Sequence, residues 1–118
     1  MLKPIKNREH LRKAQEQHRD FLVLAFCGNF SEAAQRGLAE LKKFSREQDD
    51  VPVYVVDVEE VRGLHKQFGV KKVPTVLALE KGKVTKFFEG VQSARFYAVY
   101  LSGAAASRSP RDAASDGA

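Results

Sequence analysis

The sequence predicts an α/β fold, a central mixed sheet of four to five strands flanked by four helices, on three observations. The run Phe21-Leu22-Val23-Leu24-Ala25-Phe26 is apolar throughout, the pattern of a strand covered on both faces. Residues 31–48 carry Ala34, Leu38, Leu41 and Phe44 at helical spacing, one buried stripe. Segments of both kinds then alternate up to Glu80-Lys81-Gly82-Lys83, a tight hairpin signal. The resulting order, β-α-β-α-β-α-β-β-α, is one of parallel strands joined by helices and closed by an antiparallel pair.

Each element has its own warrant. Leu2 to Ile5 suits a short edge strand, because Pro4 is tolerated only at an edge. Asn7 is an N-cap for a first helix over residues 8–18, whose apolar positions are Leu11 and Ala14. The apolar strand follows, then a turn, then Ser31 starting the long helix. Asp49-Asp50 and Pro52 end that helix, and Val53-Tyr54-Val55-Val56 is the next strand. Asp57 to Phe68 holds a short helix with Val61, Leu64 and Phe68 on one face and Gly69 as its stop. Val76 to Leu79 and Val84 to Phe88 are the hairpin strands; Ser93 caps a last helix carrying Phe96, Tyr97, Tyr100 and Leu101. Residues 1–102 form the domain. Residues 103–118 lose all apolar period and are expected to be a disordered tail.

Composition bounds the function. The 118 residues suffice for one core without metal or disulfide support. A single cysteine cannot pair internally, the N-terminus lacks the apolar core of a signal peptide, and no apolar stretch approaches a membrane span. A cytoplasmic protein with no membrane partner is expected. The formal net charge of +5 comes from 20 basic and 15 acidic residues scattered along the chain. A nucleic-acid reader would gather them into a stripe with stacking aromatics, so no nucleic-acid partner is expected. His10, His18 and His65 have no metal-ligand spacing and read as surface residues, and no metal or cofactor is expected. Asp57, Glu59 and Glu60 read as charges at the start of the short helix.

The element order, with Val73-Pro74-Thr75 opening the hairpin, resembles the thioredoxin family over residues 2–101. The specific part is Phe68-Gly69-Val70, then Val73-Pro74-Thr75, then Gly82 and Gly90 at successive intervals of eight. The resemblance implies a thioredoxin fold, with a cis peptide before Pro74. Family enzymes use two cysteines at C-x-x-C where the helix after the central strand begins. In family register those positions are Ser31 and Ala34, and neither can exchange thiols. The family's buried aspartate and its neighbouring lysine match Ala25 and Val55, a joint apolar replacement of the kind that costs little.

The expected function is therefore a thioredoxin-like protein without dithiol–disulfide oxidoreductase activity, a peptide-binding or chaperone-like module. In the family an extended partner pairs with the backbone before the cis proline, which is Val73 here. The predicted peptide-binding residues are Phe30, Ser31, Val73, Pro74, Gly90 and Val91, with Lys71 and Lys72 on the rim. The competing expectation is a one-cysteine redox protein or sensor using Cys27. Cys27-Gly28-Asn29-Phe30-Ser31 also has a superficial likeness to the C-G-F-S of monothiol glutaredoxins, against which the inserted Asn29 argues.

Overall fold

The apolar run becomes the central strand of a five-stranded mixed sheet. The computed structural model describes residues 2–28 and 31–102. Chain order is β1 (Leu2–Pro4), α1 (Arg8–Gln17), β2 (Leu22–Cys27), α2 (Glu32–Glu47), β3 (Val53–Asp57), α3 (Leu64–Gln67), β4 (Thr75–Glu80), β5 (Lys83–Glu89) and α4 (Ala94–Tyr100). The sheet runs β1-β3-β2-β4-β5. β3 is parallel to both β1 and β2, whereas β4 is antiparallel to β2 and β5. The expected tail, residues 103–118, lies outside the described residues.

All six residues of β2 are buried because both faces of the sheet are covered. On one face Leu24, Phe26, Tyr54, Val56 and Leu77 meet Leu11 and Ala14 of α1 and Leu64 of α3. On the other, Val23, Ala25, Cys27, Val53 and Ala78 meet Leu41 and Phe44 of α2 and Tyr97 of α4. Alternate side chains of one strand thus feed two cores.

The three predicted caps are made. Asn7 Oδ1 accepts from His10 N–H at 2.8 Å, and Ser31 and Ser93 Oγ accept from Ala34 and Phe96 N–H, both at 3.0 Å. α4 has a second anchor: Glu40 Oε1 on α2 accepts from Ala94 N–H at 2.8 Å. The hairpin turns at Lys81 (φ 54°) and Gly82 (φ 81°), the paired positive φ of a two-residue hairpin turn.

Three expectations need correction. The short helix is one turn, Leu64–Gln67, and residues 58–63 form turns instead. Asp57 directs this: its carboxylate accepts from Glu59 N–H at 2.9 Å, and its carbonyl from the Glu60 and Val61 amides at 3.0 and 2.9 Å. Gly63 (φ 84°) then breaks any continuous helix. On α2 the buried residue beside Leu41 is Gly37, and Leu38 is half-buried. The histidines are half-buried rather than on the surface. His18 leans on Tyr54, its Nε2 3.3 Å from the Tyr54 hydroxyl, and burial first, then Lys3, lowers its pKa.

Candidate functional site

The site is built where the start of α2, the turns after β3 and the loop before β4 converge. Two residues past the end of α3 stands Gly69 (φ 73°), whose amide reaches Lys66 O at 3.1 Å. Val70 N–H then returns to His65 O at 2.9 Å, so the chain leaves the helix at a fixed angle. Thr75 Oγ1, on a fully buried side chain, donates to Lys72 O at 2.7 Å. Gly90 N–H donates to Pro74 O at 2.8 Å. These bonds hold the loop on either side of Val73. The Val73–Pro74 peptide is cis, and among the described residues no hydrogen bond engages Val73 N–H or C=O.

Beside Val73 is an open groove of about 520 Å³ lined by Ser31, Ala33, Val58, His65, Val70, Lys71, Lys72 and Val73. Its walls are mainly apolar, and its charged lining residues, Lys71 and Lys72, are exposed. His65, which lines the groove, has its Nδ1 buried without a hydrogen-bond partner among the described residues. Another groove, of about 540 Å³, lies at Leu2, Lys42, Ser45, Arg46 and Asp49.

The groove joins Ser31, Val73, Lys71 and Lys72, four of the residues singled out in the sequence. Pro74 is buried beneath the loop against Gly37 and offers no surface of its own. Gly90 is half-buried and tied to Pro74, while Val91 is exposed; neither lines the groove. Phe30 lies outside the described residues. Ala33, Val58, His65 and Val70 were not foreseen, because they come from three separate segments that only the fold brings together.

Ser31 and Ala34, at the start of α2, carry no thiol. Ser31 Oγ is committed to the Ala34 amide, and the Ala34 side chain is buried. Ala25 and Val55 face each other in the β2–β3 register and join the same apolar cluster. Cys27 lies in that cluster, 4% exposed. Burial, and then the charge of Asp57, pushes its thiol up to about 11. Such a thiol is almost wholly protonated near neutrality, and the thiolate is the nucleophile. The Tyr97 hydroxyl is buried close by without a hydrogen bond of full geometry. Among the described residues no three His, Cys, Asp or Glu side chains gather as a metal site, and no helix is long and apolar enough to cross a membrane.

The family model described as Thioredoxin matches residues 3–101. The chain belongs to the thioredoxin family. Solved thioredoxins share its fold at low identity. That of Fasciola hepatica is 16% identical with a TM-score of 0.75, covering 82% of this chain and 94% of its own. The reduced thioredoxin pre-protein of Schistosoma mansoni is 20% identical with a TM-score of 0.74, covering 83% and 93%. Plasmodium falciparum thioredoxin is 14% identical with a TM-score of 0.74, covering 82% and 94%. No curated protein matches the sequence. Within the thioredoxin frame, this chain has serine and alanine at the start of α2 and its one cysteine at the end of β2.

Proposed function

We propose that this thioredoxin-family domain binds extended polypeptide segments at the groove beside Val73 and performs no dithiol exchange. One observation carries the reading: the Val73 amide and carbonyl, without partners among the described residues, border an apolar trough. An extended segment supplies what both lack, main-chain hydrogen bonds and apolar side chains. Ser31 and Ala34 cannot provide an attacking and a resolving thiol. A lone free thiol is at home in a reducing compartment, so the reading carries a cytoplasmic setting. The one-cysteine redox alternative is weakened by the burial of Cys27 and its raised pKa.

Two measurements test this. Extended peptides with apolar side chains, titrated into the full chain, are expected to move the backbone amide NMR signals of Ala33, Val58 and residues 70–73. Shifts confined elsewhere, or none at millimolar peptide, would overturn the binding site. Insulin reduction with a dithiol donor is expected to show no turnover above the donor alone. Turnover that Cys27→Ser abolishes would sink the binding-only reading.

A further inference from the structure

We infer that the groove selects acidic segments, those carrying a carboxylate within two residues of the apolar side chain that enters it. The inference rests on the peptide-binding reading and adds the chemistry of the partner. Lys71 and Lys72 are the charged residues in the lining, and both are exposed. They stand one and two residues before Val73, the residue offering backbone hydrogen bonds. All three residues line the same groove, so a segment bonded to Val73 lies beside both lysines. A carboxylate there meets a cation; a lysine there meets like charge. Ser31 and Ala33, the N-cap and a first-turn residue of the 16-residue α2, line the groove as well, and the helix dipole there favours negative charge. His65, on α3, brings to the lining a buried nitrogen without a hydrogen-bond partner among the described residues. Glu32, Glu59 and Glu60 are close in sequence to lining residues, but none lines the groove.

The chain's net charge of +5 would draw any acidic peptide weakly, so the test must separate local from global attraction. Two fluorescein-labelled peptides are used, acetyl-Ser-Ala-Val-Phe-Glu-Glu-Ala-Ser-amide and its counterpart with Lys-Lys in place of Glu-Glu. Anisotropy titrations with the full chain at low salt are expected to show the acidic peptide binding about tenfold tighter, as two partly exposed charge pairs allow. The gap is expected to close at about 0.5 M salt, where screening falls to a few ångströms. Lys71→Glu with Lys72→Glu should reverse the preference. Lys42→Glu with Lys43→Glu makes the same charge change at exposed positions of α2 and should leave the preference in place. Equal binding of both peptides overturns the acidic preference while peptide binding stands. Equal loss of preference in both double variants assigns it to net charge and also overturns the inference. Binding of neither peptide removes both readings.

Discussion

Gly37 in α2 faces the ring of Pro74 so closely that a β-carbon built on it would stand 2.6 Å from Pro74 Cγ and 3.0 Å from Pro74 Cβ. A glycine in a helix interior costs about 1 kcal/mol relative to alanine. The helix therefore gives up intrinsic stability where the loop before β4 seats against it. The loop that presents Val73 is set on the side of α2 by the absence of a side chain.

Gly37→Ala puts two effects in opposition. Helix propensity would add about 1 kcal/mol, whereas overpacking a close contact costs about 1–3 kcal/mol. The contact is with a proline ring, which has little freedom to yield, so a net loss of about 1–2 kcal/mol is expected. Urea unfolding measures it. A variant more stable than the parent would show that the loop gives way freely.

Ser31 acts as a cap. Ser31→Ala should cost about 1 kcal/mol and Ser31→Gly only a few tenths, the order characteristic of N-caps. Thermal unfolding of the two variants checks it; equal losses would mean that the hydroxyl to Ala34 bond contributes little.

The Cys27 thiol should be silent in the native protein. At pH 8 its reaction with an aromatic disulfide reagent is expected to follow the rate of unfolding, and to become immediate in denaturant. Fast stoichiometric labelling of the folded chain would revive a redox role.

Alkaline pH should loosen the fold. Burial, then Asp57, raises the Cys27 thiol from 9.0 to about 11, and burial, then Cys27, raises the Tyr97 hydroxyl from 10.0 to about 12. Both groups hold their protons longer folded than unfolded. Their contribution is whole below about pH 9 and is lost as pH climbs to about 12, by up to about 2–3 kcal/mol each. Chemical denaturation between pH 8 and pH 11 reads this. Tyr97→Phe removes a poorly bonded buried hydroxyl, should be neutral or slightly stabilising at pH 7, and should flatten the alkaline decline.

Legibility in the sequence followed the range of the interaction. The caps at Asn7, Ser31 and Ser93 were readable because donor and acceptor lie three residues apart. β2 was readable because every side chain on it is buried. The loop at Pro74 was readable only through the thioredoxin resemblance that Val73-Pro74-Thr75, Gly82 and Gly90 carry. Contacts made across the fold were not. Glu40 reaches Ala94 over 54 positions, and no local pattern announces it. Gly37 did leave a signal, since an isolated glycine inside a helical stripe commonly marks a close approach. The walls of the groove had none, because Val58, Val70 and Ala33 read locally as ordinary apolar residues.

The sheet order carries a consequence for synthesis. β2 stands between β3 and β4, so the strand made second of the five is completed on one edge only when residues 75–80 have appeared. α4, which closes the core with Tyr97 and, just past its end, Leu101, comes later still. Long-range pairing of this kind defers its stabilisation until distant partners exist. A chain that stops short of residue 75 lacks β4, and the edge of Leu22 to Phe26 that β4 covers in the finished molecule then has no partner.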